Sequence, residues 1–340
     1  MNSLIFASIL TKPRLMLRLL AKVGLNGFFF CLIGVIFLAY YFPTIGLHES
    51  PWHLPQIAEY GVSIIFFFYG LKLSPQKLKS GLTNWRLHIL IQTATFGLFP
   101  LLILSLQNLL GVDKTSLFWI GIFYLAVLPS TVSSSVVMVA IAKGNLPAAI
   151  FNASISSIIG IFITPLWMSG LLEQQDANFD LFPVILRLCF EVLLPVIVGY
   201  VLHSQLGKWA ERYNHVLRLF DQTIILLIVY TSFCESFAGG MFEGQSMRDL
   251  SILGAEMLAF FFLVFGLLYL LSSWLGFSYE DRVTVLFCGS KKSLVQGAVM
   301  GKVLFPNPVA LGVVLLPLMM YHALQLLAGS IIAQQWGSKH

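Results

Sequence analysis

The chain has 340 residues, of which 58% are hydrophobic and 14% aromatic, and only 10% carry charge where a soluble domain carries about a quarter. That balance excludes a soluble globular domain and implies a polytopic membrane protein. The formal net charge of +5 comes from basic residues set between apolar runs, a topological pattern rather than the footprint of a nucleic-acid partner.

In chain order, "MNSLIFASIL" lacks the early basic residues of a cleavable leader and is followed by "TKPRLMLRLLAK". Residues 1–23 therefore read as a basic amphipathic segment on the cytoplasmic face. The runs that follow are long and do not alternate, which means helices and not a barrel. Spans are predicted at 24–42, 57–72, 85–110, 117–142 and 146–171, then, after an acidic extracytoplasmic linker at 172–181, at 182–204, 218–238, 250–275, 281–303 and 308–334, with 335–340 as a tail. Lys12, Arg14, Arg18 and Lys22, then Lys72, Lys77, Lys79 and Arg86, then Lys143, then Lys208, Arg212 and Arg218 fall on alternate connections, while Glu49, Glu173, Asp176, Asp180 and Glu243 fall on the others. Both termini are thus expected in the cytoplasm, in a plasma or bacterial inner membrane. An odd number of spans on each side of the linker makes 24–171 and 182–334 inverted repeats, an architecture of secondary transporters. Cys31, Cys189, Cys234 and Cys288 sit in apolar segments without paired spacing, so they read as packing residues.

Two spans are polar at matching places. The fourth holds "LPSTVSSSVV", Leu128 to Val137, where Pro129 removes a backbone donor and Ser130, Thr131, Ser133, Ser134 and Ser135 compete for backbone groups. A break there exposes amide and carbonyl groups that suit an ion or a charged solute; the alternative is an intact helix whose serines bond back to it. The ninth holds "CGSKKSLVQG", Cys288 to Gly297. Lys291 and Lys292 lie about ten residues from Asp281, roughly 15 Å up a core of roughly 30 Å. Each would cost on the order of 2.5 to 3.5 kcal/mol against lipid, so they must meet a cavity, a counter-charge or a substrate, unless the helix starts at Ser293 and they are ordinary cytoplasmic charge. Gln92, Asn152, Ser156, Ser293, Gln296, His322 and Gln325 are further candidates to line a site, each alone as well explained by an interhelical hydrogen bond. Glu191 follows Arg187 by four residues and reads either as a local ion pair or, with His322, as a candidate proton carrier. Glu235 and Glu256 can snorkel to the surface.

The segments "IIFFFYGLKLSPQKLKSGLTNWRLHILIQTATFGLFPLL" (64–102), "LAVLPSTVSSSVVMVAIAKGN" (125–145), "LLPVIVGY" (193–200) and "YHALQLLAGS" (321–330) resemble the bile acid:sodium symporter family (solute carrier family 10-like), in its symporter-like branch distinct from the liver and intestinal bile acid carriers. The resemblance implies an all-α integral membrane protein with ten transmembrane helices in two inverted five-helix repeats. It also implies a panel of spans 1, 2, 6 and 7, and a core whose unwound spans 4 and 9 cross at the ion and substrate site. The family's sodium ligands do not carry over: Ser135 is followed by Val136 where the symporters have Ser-Asn, their fifth-span hydroxyls map near Ala149 and Ala153, and Phe287 to Lys292 holds no carboxylate. A lysine in place of the ion would keep the crossing organised, hold an anionic substrate, or release a proton and couple transport to pH.

The expected function is secondary active transport of a small organic anion, proton-coupled or sodium-independent. The alternatives are a sodium-coupled symporter with relocated ligands, or a non-transporting membrane regulator of calcium homeostasis. No catalytic constellation supports an enzyme, no charge ring supports a channel, and no cofactor is expected beyond a sodium ion.

Overall fold

A computed structural model of the chain describes residues 27–73, 84–111, 116–172, 181–240, 246–305 and 307–339. The basic segment 1–23 and nearly all of the linker 172–181 lie outside those residues. Among the described residues every regular element is helical. Besides a single helical turn at Pro43–Gly46 and two wide turns, they are α1 (Gly27–Tyr41), α2 (Leu54–Lys72), α3 (Trp85–Thr93), α4 (Phe99–Leu110), α5 (Leu117–Val127), α6 (Ser133–Ile141), α7 (Leu146–Leu172), α8 (Leu181–Leu188), α9 (Leu194–Val201), α10 (His203–Arg212), α11 (Asn214–Ala238), α12 (Met247–Trp274), α13 (Tyr279–Gly289), α14 (Leu294–Leu304) and α15 (Pro308–Lys339). The last helix runs on through Lys339. Among the described residues six helices are long and apolar enough to cross a membrane, and a bent pair, turning by 96° between α9 and α10, brings the number to seven.

Local chemistry explains the ends and interruptions. Ser246 and Asp249 form a reciprocal capping box at the start of α12, and Ser278 caps α13 on the Asp281 amide. α3 and α4 are joined by one wide turn at Ala94–Leu98, and α8 and α9 by another at Cys189–Leu193. Each lies just before a proline, Pro100 or Pro195, which has no N–H and crowds the carbonyl four residues back. The carbonyls so released are taken up from other helices: Trp167 Nε1 donates to the Phe96 carbonyl at 2.9 Å, and Ser63 Oγ to the Glu191 carbonyl at 3.2 Å.

Packing sorts the helices into two groups. α2 lies along α9, and α11 lies against α1 and α2. Gly70 and Gly199 bring the α2 and α9 backbones together, since a Cβ at Gly70 would strike the Val196 carbonyl and one at Gly199 the Phe67 carbonyl. In the second group α15 runs beside α5 and α12, and α13 beside α3, α6, α7 and α12. The groups meet chiefly where α11 lies along α15. The core of the second group carries the polar residues singled out in the sequence.

Candidate functional site

The two polar segments are breaks in their helices, and the breaks cross. α5 stops at Val127 because Leu128, the residue before Pro129, is extended at ψ 152°, and α6 starts at Ser133. α13 stops at Gly289 and α14 starts at Leu294 with Ser293 as its cap, its hydroxyl accepting from the Gln296 amide. Each break satisfies the other's backbone. Ser293 N–H donates to the Pro129 carbonyl at 2.9 Å, and Ser130 Oγ to the Cys288 carbonyl at 2.6 Å. Neighbouring helices complete the set: Thr164 Oγ1 donates to the Val127 carbonyl at 2.8 Å, while the Tyr321 and Tyr124 hydroxyls donate at 2.7 Å to the Ser290 and Gly297 carbonyls.

Both lysines are 0% exposed, yet their surroundings differ. Lys292 Nζ donates to the Thr95 and Ala126 carbonyls at 2.7 Å and to the Leu128 carbonyl at 2.8 Å, and it stands 4.0 Å from the centre of the Phe99 ring. Three carbonyl acceptors require three N–H donors, which only the charged ammonium has. The Thr95 carbonyl is available because, in the wide turn, the Phe99 N–H bonds to Ala94 and Pro100 has none to offer. The other two carbonyls belong to the negative end of α5. The Lys292 backbone is also clamped, its N–H donating to Gln325 Oε1 and its carbonyl accepting from Gln325 Nε2, both at 2.8 Å. Lys291 Nζ has one oxygen, the Ser134 carbonyl at 3.3 Å, with the Met138 sulfur in close contact and the Phe287 ring centre 5.5 Å away. Neither lysine makes an ion pair with a described residue.

The remaining candidates divide in two. Thr131 Oγ1 bonds Ser134 Oγ at 2.5 Å and Ser135 Oγ at 3.0 Å, closing the start of α6 on itself; of Ser133 only the backbone is described. Ser156 accepts from the Ser130 N–H at 3.0 Å, so α7 touches the crossing. Gln92 and Asn152 form a network between α3 and α7, Gln92 Nε2 donating to Asn152 Oδ1 at 3.2 Å and Asn152 Nδ2 to His88 Nδ1 at 2.7 Å. Gln92 and Gln296 each keep a buried side-chain oxygen with no donor. His322 accepts from Gln325 at 2.9 Å beside the crossing. Glu191 is elsewhere: Arg187 binds it at 2.6 Å and Glu59 at 2.7 Å, the local ion pair with a third member from α2. Lys302, on α14, reaches the Pro55 carbonyl next to that cluster. Glu235 accepts from the His48 N–H at 2.7 Å.

Thr95, Phe99, Tyr124 and Tyr321 escaped the sequence reading, being apolar or isolated in apolar runs; only Pro100 signalled the freed Thr95 carbonyl. A cavity of about 710 Å³ between α4, α5 and α12 is lined by apolar side chains with Asp249 and Glu256, and no crossing residue borders it. Among the described residues no three His, Cys, Asp or Glu side chains come together to hold a metal, and the carbonyls that converge at the crossing are occupied by Lys292.

The sequence is similar to those of known proteins. Residues 26–338 match the SBF-like CPA transporter family. An uncharacterised protein of Pseudomonas aeruginosa is 38% identical over 316 residues, which is 92% of this chain and 93% of that one. Sodium/bile acid cotransporter 7 of Danio rerio is 32% identical over 319 residues, 92% and 94% of the two chains, and that of Rattus norvegicus 29% identical over 321 residues, 93% and 94%.

Proposed function

The chain belongs to the SBF-like CPA transporter family, and on that footing we propose that it is a secondary active transporter of a small organic anion that works by alternating access without sodium. It is a membrane transporter and not an enzyme. The finer reading adds to those seven the short apolar helix α1 and each split helix, α5 with α6 and α13 with α14, as one crossing apiece, which gives ten crossings in two inverted repeats. The group containing α2, α9 and α11 is then the panel against which the crossing moves.

The observation that carries the sodium-free reading is the seat of Lys292. Carbonyl oxygens gathered at the end of a half-helix are the kind of site that holds a hard cation, and here a tethered ammonium occupies it. The positions where related symporters supply sodium ligands carry Val136, Ala149 and Ala153, and no carboxylate falls between Phe287 and Lys292. A second cation would meet Lys292 and Lys291 before any anionic oxygen. Proton coupling or exchange remains as the energy source.

Melting of the purified protein in sodium chloride and in choline chloride, at two pH values, tests the coupling ion. A ligand at a hundred times its dissociation constant adds about 2.7 kcal/mol to the folded state, a shift readily seen. The expected result is equal melting in the two salts; stabilisation specific to sodium would restore the sodium-coupled alternative. Reconstitution in liposomes tests transport itself. Uptake or exchange of labelled carboxylates and sulfonates without sodium is expected, and its absence across the set would leave a non-transporting regulator.

A further inference from the structure

The two lysines are adjacent in sequence and unequal in chemistry. Lys292 has three oxygens for three N–H groups and is complete. Lys291 is equally buried but has one long contact to an oxygen, and the next group it touches is a thioether, a weak acceptor. Its stem lies against Gly329, where a Cβ would come within 3.4 Å of Lys291 Cε and would strike Met138 as well. A buried ammonium so poorly supplied leaves N–H donors that an acceptor from outside the chain would complete.

A second donor lies on α15. The Lys292 N–H can only donate, so the Gln325 atom it meets is Oε1, and Gln325 Nε2 must donate to the Lys292 carbonyl and to His322 Nδ1. His322 Nδ1 is therefore an acceptor, and the proton of the neutral ring is on Nε2, directed away from Gln325. His322, Gln325 and Gly329 recur at three and four residues on one face of α15, the face turned to the crossing. Ser134 and His322 are half-buried, whereas Lys291 is sealed. Among the described residues no carboxylate contacts Lys291, whose titratable chain neighbours are Cys288 and Lys292.

We propose that Lys291, with His322 Nε2 as second donor, receives the oxyanion head of the substrate, a carboxylate or sulfonate whose oxygen displaces the Met138 sulfur, while Lys292 never touches substrate. The proposal rests on the transporter reading above and assigns its binding group.

The test uses the full chain in detergent, melted with N-methylglucamine benzoate or benzenesulfonate and with the chloride salt as reference. Wild type is expected to show saturable stabilisation by at least one organic anion. Lys291→Met should weaken it at least tenfold, His322→Phe several-fold, and Met138→Ala should strengthen it, while Lys291→Arg retains it and controls for folding. No saturable effect in wild type, or equal effects in wild type and Lys291→Met, overturns the proposal. Failure of the transporter reading looks different: anion binding that depends on Lys291 with no uptake in liposomes sinks transport and keeps the site. Uptake indifferent to Lys291→Met does the reverse.

Discussion

Lys292 and Ser130 stabilise the crossing by different amounts, and the difference can be measured. Lys292→Met keeps the aliphatic stem and strands three buried carbonyls, each an unmet acceptor costing about 1 to 3 kcal/mol. Ser130→Ala strands only the Cys288 carbonyl, because the Ser130 backbone bond to Ser156 is retained. The expected order on melting is a loss of many degrees for Lys292→Met and a few for Ser130→Ala. Comparable small losses would mean that the three carbonyls find water or relax, and that the ammonium is replaceable. Sequence reading reached both residues through one rule, that charge and hydroxyl groups inside an apolar span need a reason. It left the two lysines equivalent, because which of two neighbours finds acceptors depends on the Thr95 carbonyl some 200 positions away and on the end of α5.

The sequence marks breaks well where a proline or a run of hydroxyl residues interrupts an apolar stretch, as at Pro129 and at Ser290 to Ser293. It marks the wide turns poorly, since Pro100 and Pro195 lie within spans that otherwise continue, and hydropathy does not register one added residue per turn. Yet the turn at Ala94–Leu98 helps to build the site. Pro100→Ala would return an N–H to the Phe96 carbonyl in competition with Trp167, let the turn tighten to α-helix, and give the Thr95 carbonyl back to the Phe99 N–H. Removing a proline from a helix ordinarily stabilises it. Here the expected outcome is the reverse: a lower melting temperature, with hydrogen exchange at Lys292 and Ser293 rising as the ammonium loses an acceptor. A stabilised variant with unchanged exchange would show that the turn is incidental.

At the scale of the molecule, the two helix groups touch at one end through charge. Arg187 joins Glu59 of α2 to Glu191, and Lys302 of α14 reaches the Pro55 carbonyl at the start of α2. Arg187 and Glu59 are over a third exposed, so their pairing contributes little by itself, on the order of 1 kcal/mol or less. Lys302 is different because its contact spans the two groups. Lys302→Met is expected to leave the fold intact and to raise deuterium uptake at 54–59 and 299–305 together, the mark of that end parting. Unchanged uptake at both would remove Lys302 as a fastening.

The seat of Lys292 has a thermodynamic corollary. An ion captured from solution is released on the far side, and its fall in chemical potential does work on the solute that accompanies it. An ammonium bonded to the chain goes out and returns with the helices that hold it, so over a full cycle its work is zero. Under the sodium-free reading the work of accumulation then comes from another anion that leaves down its own gradient in exchange, or from a proton that enters with the substrate and is left behind.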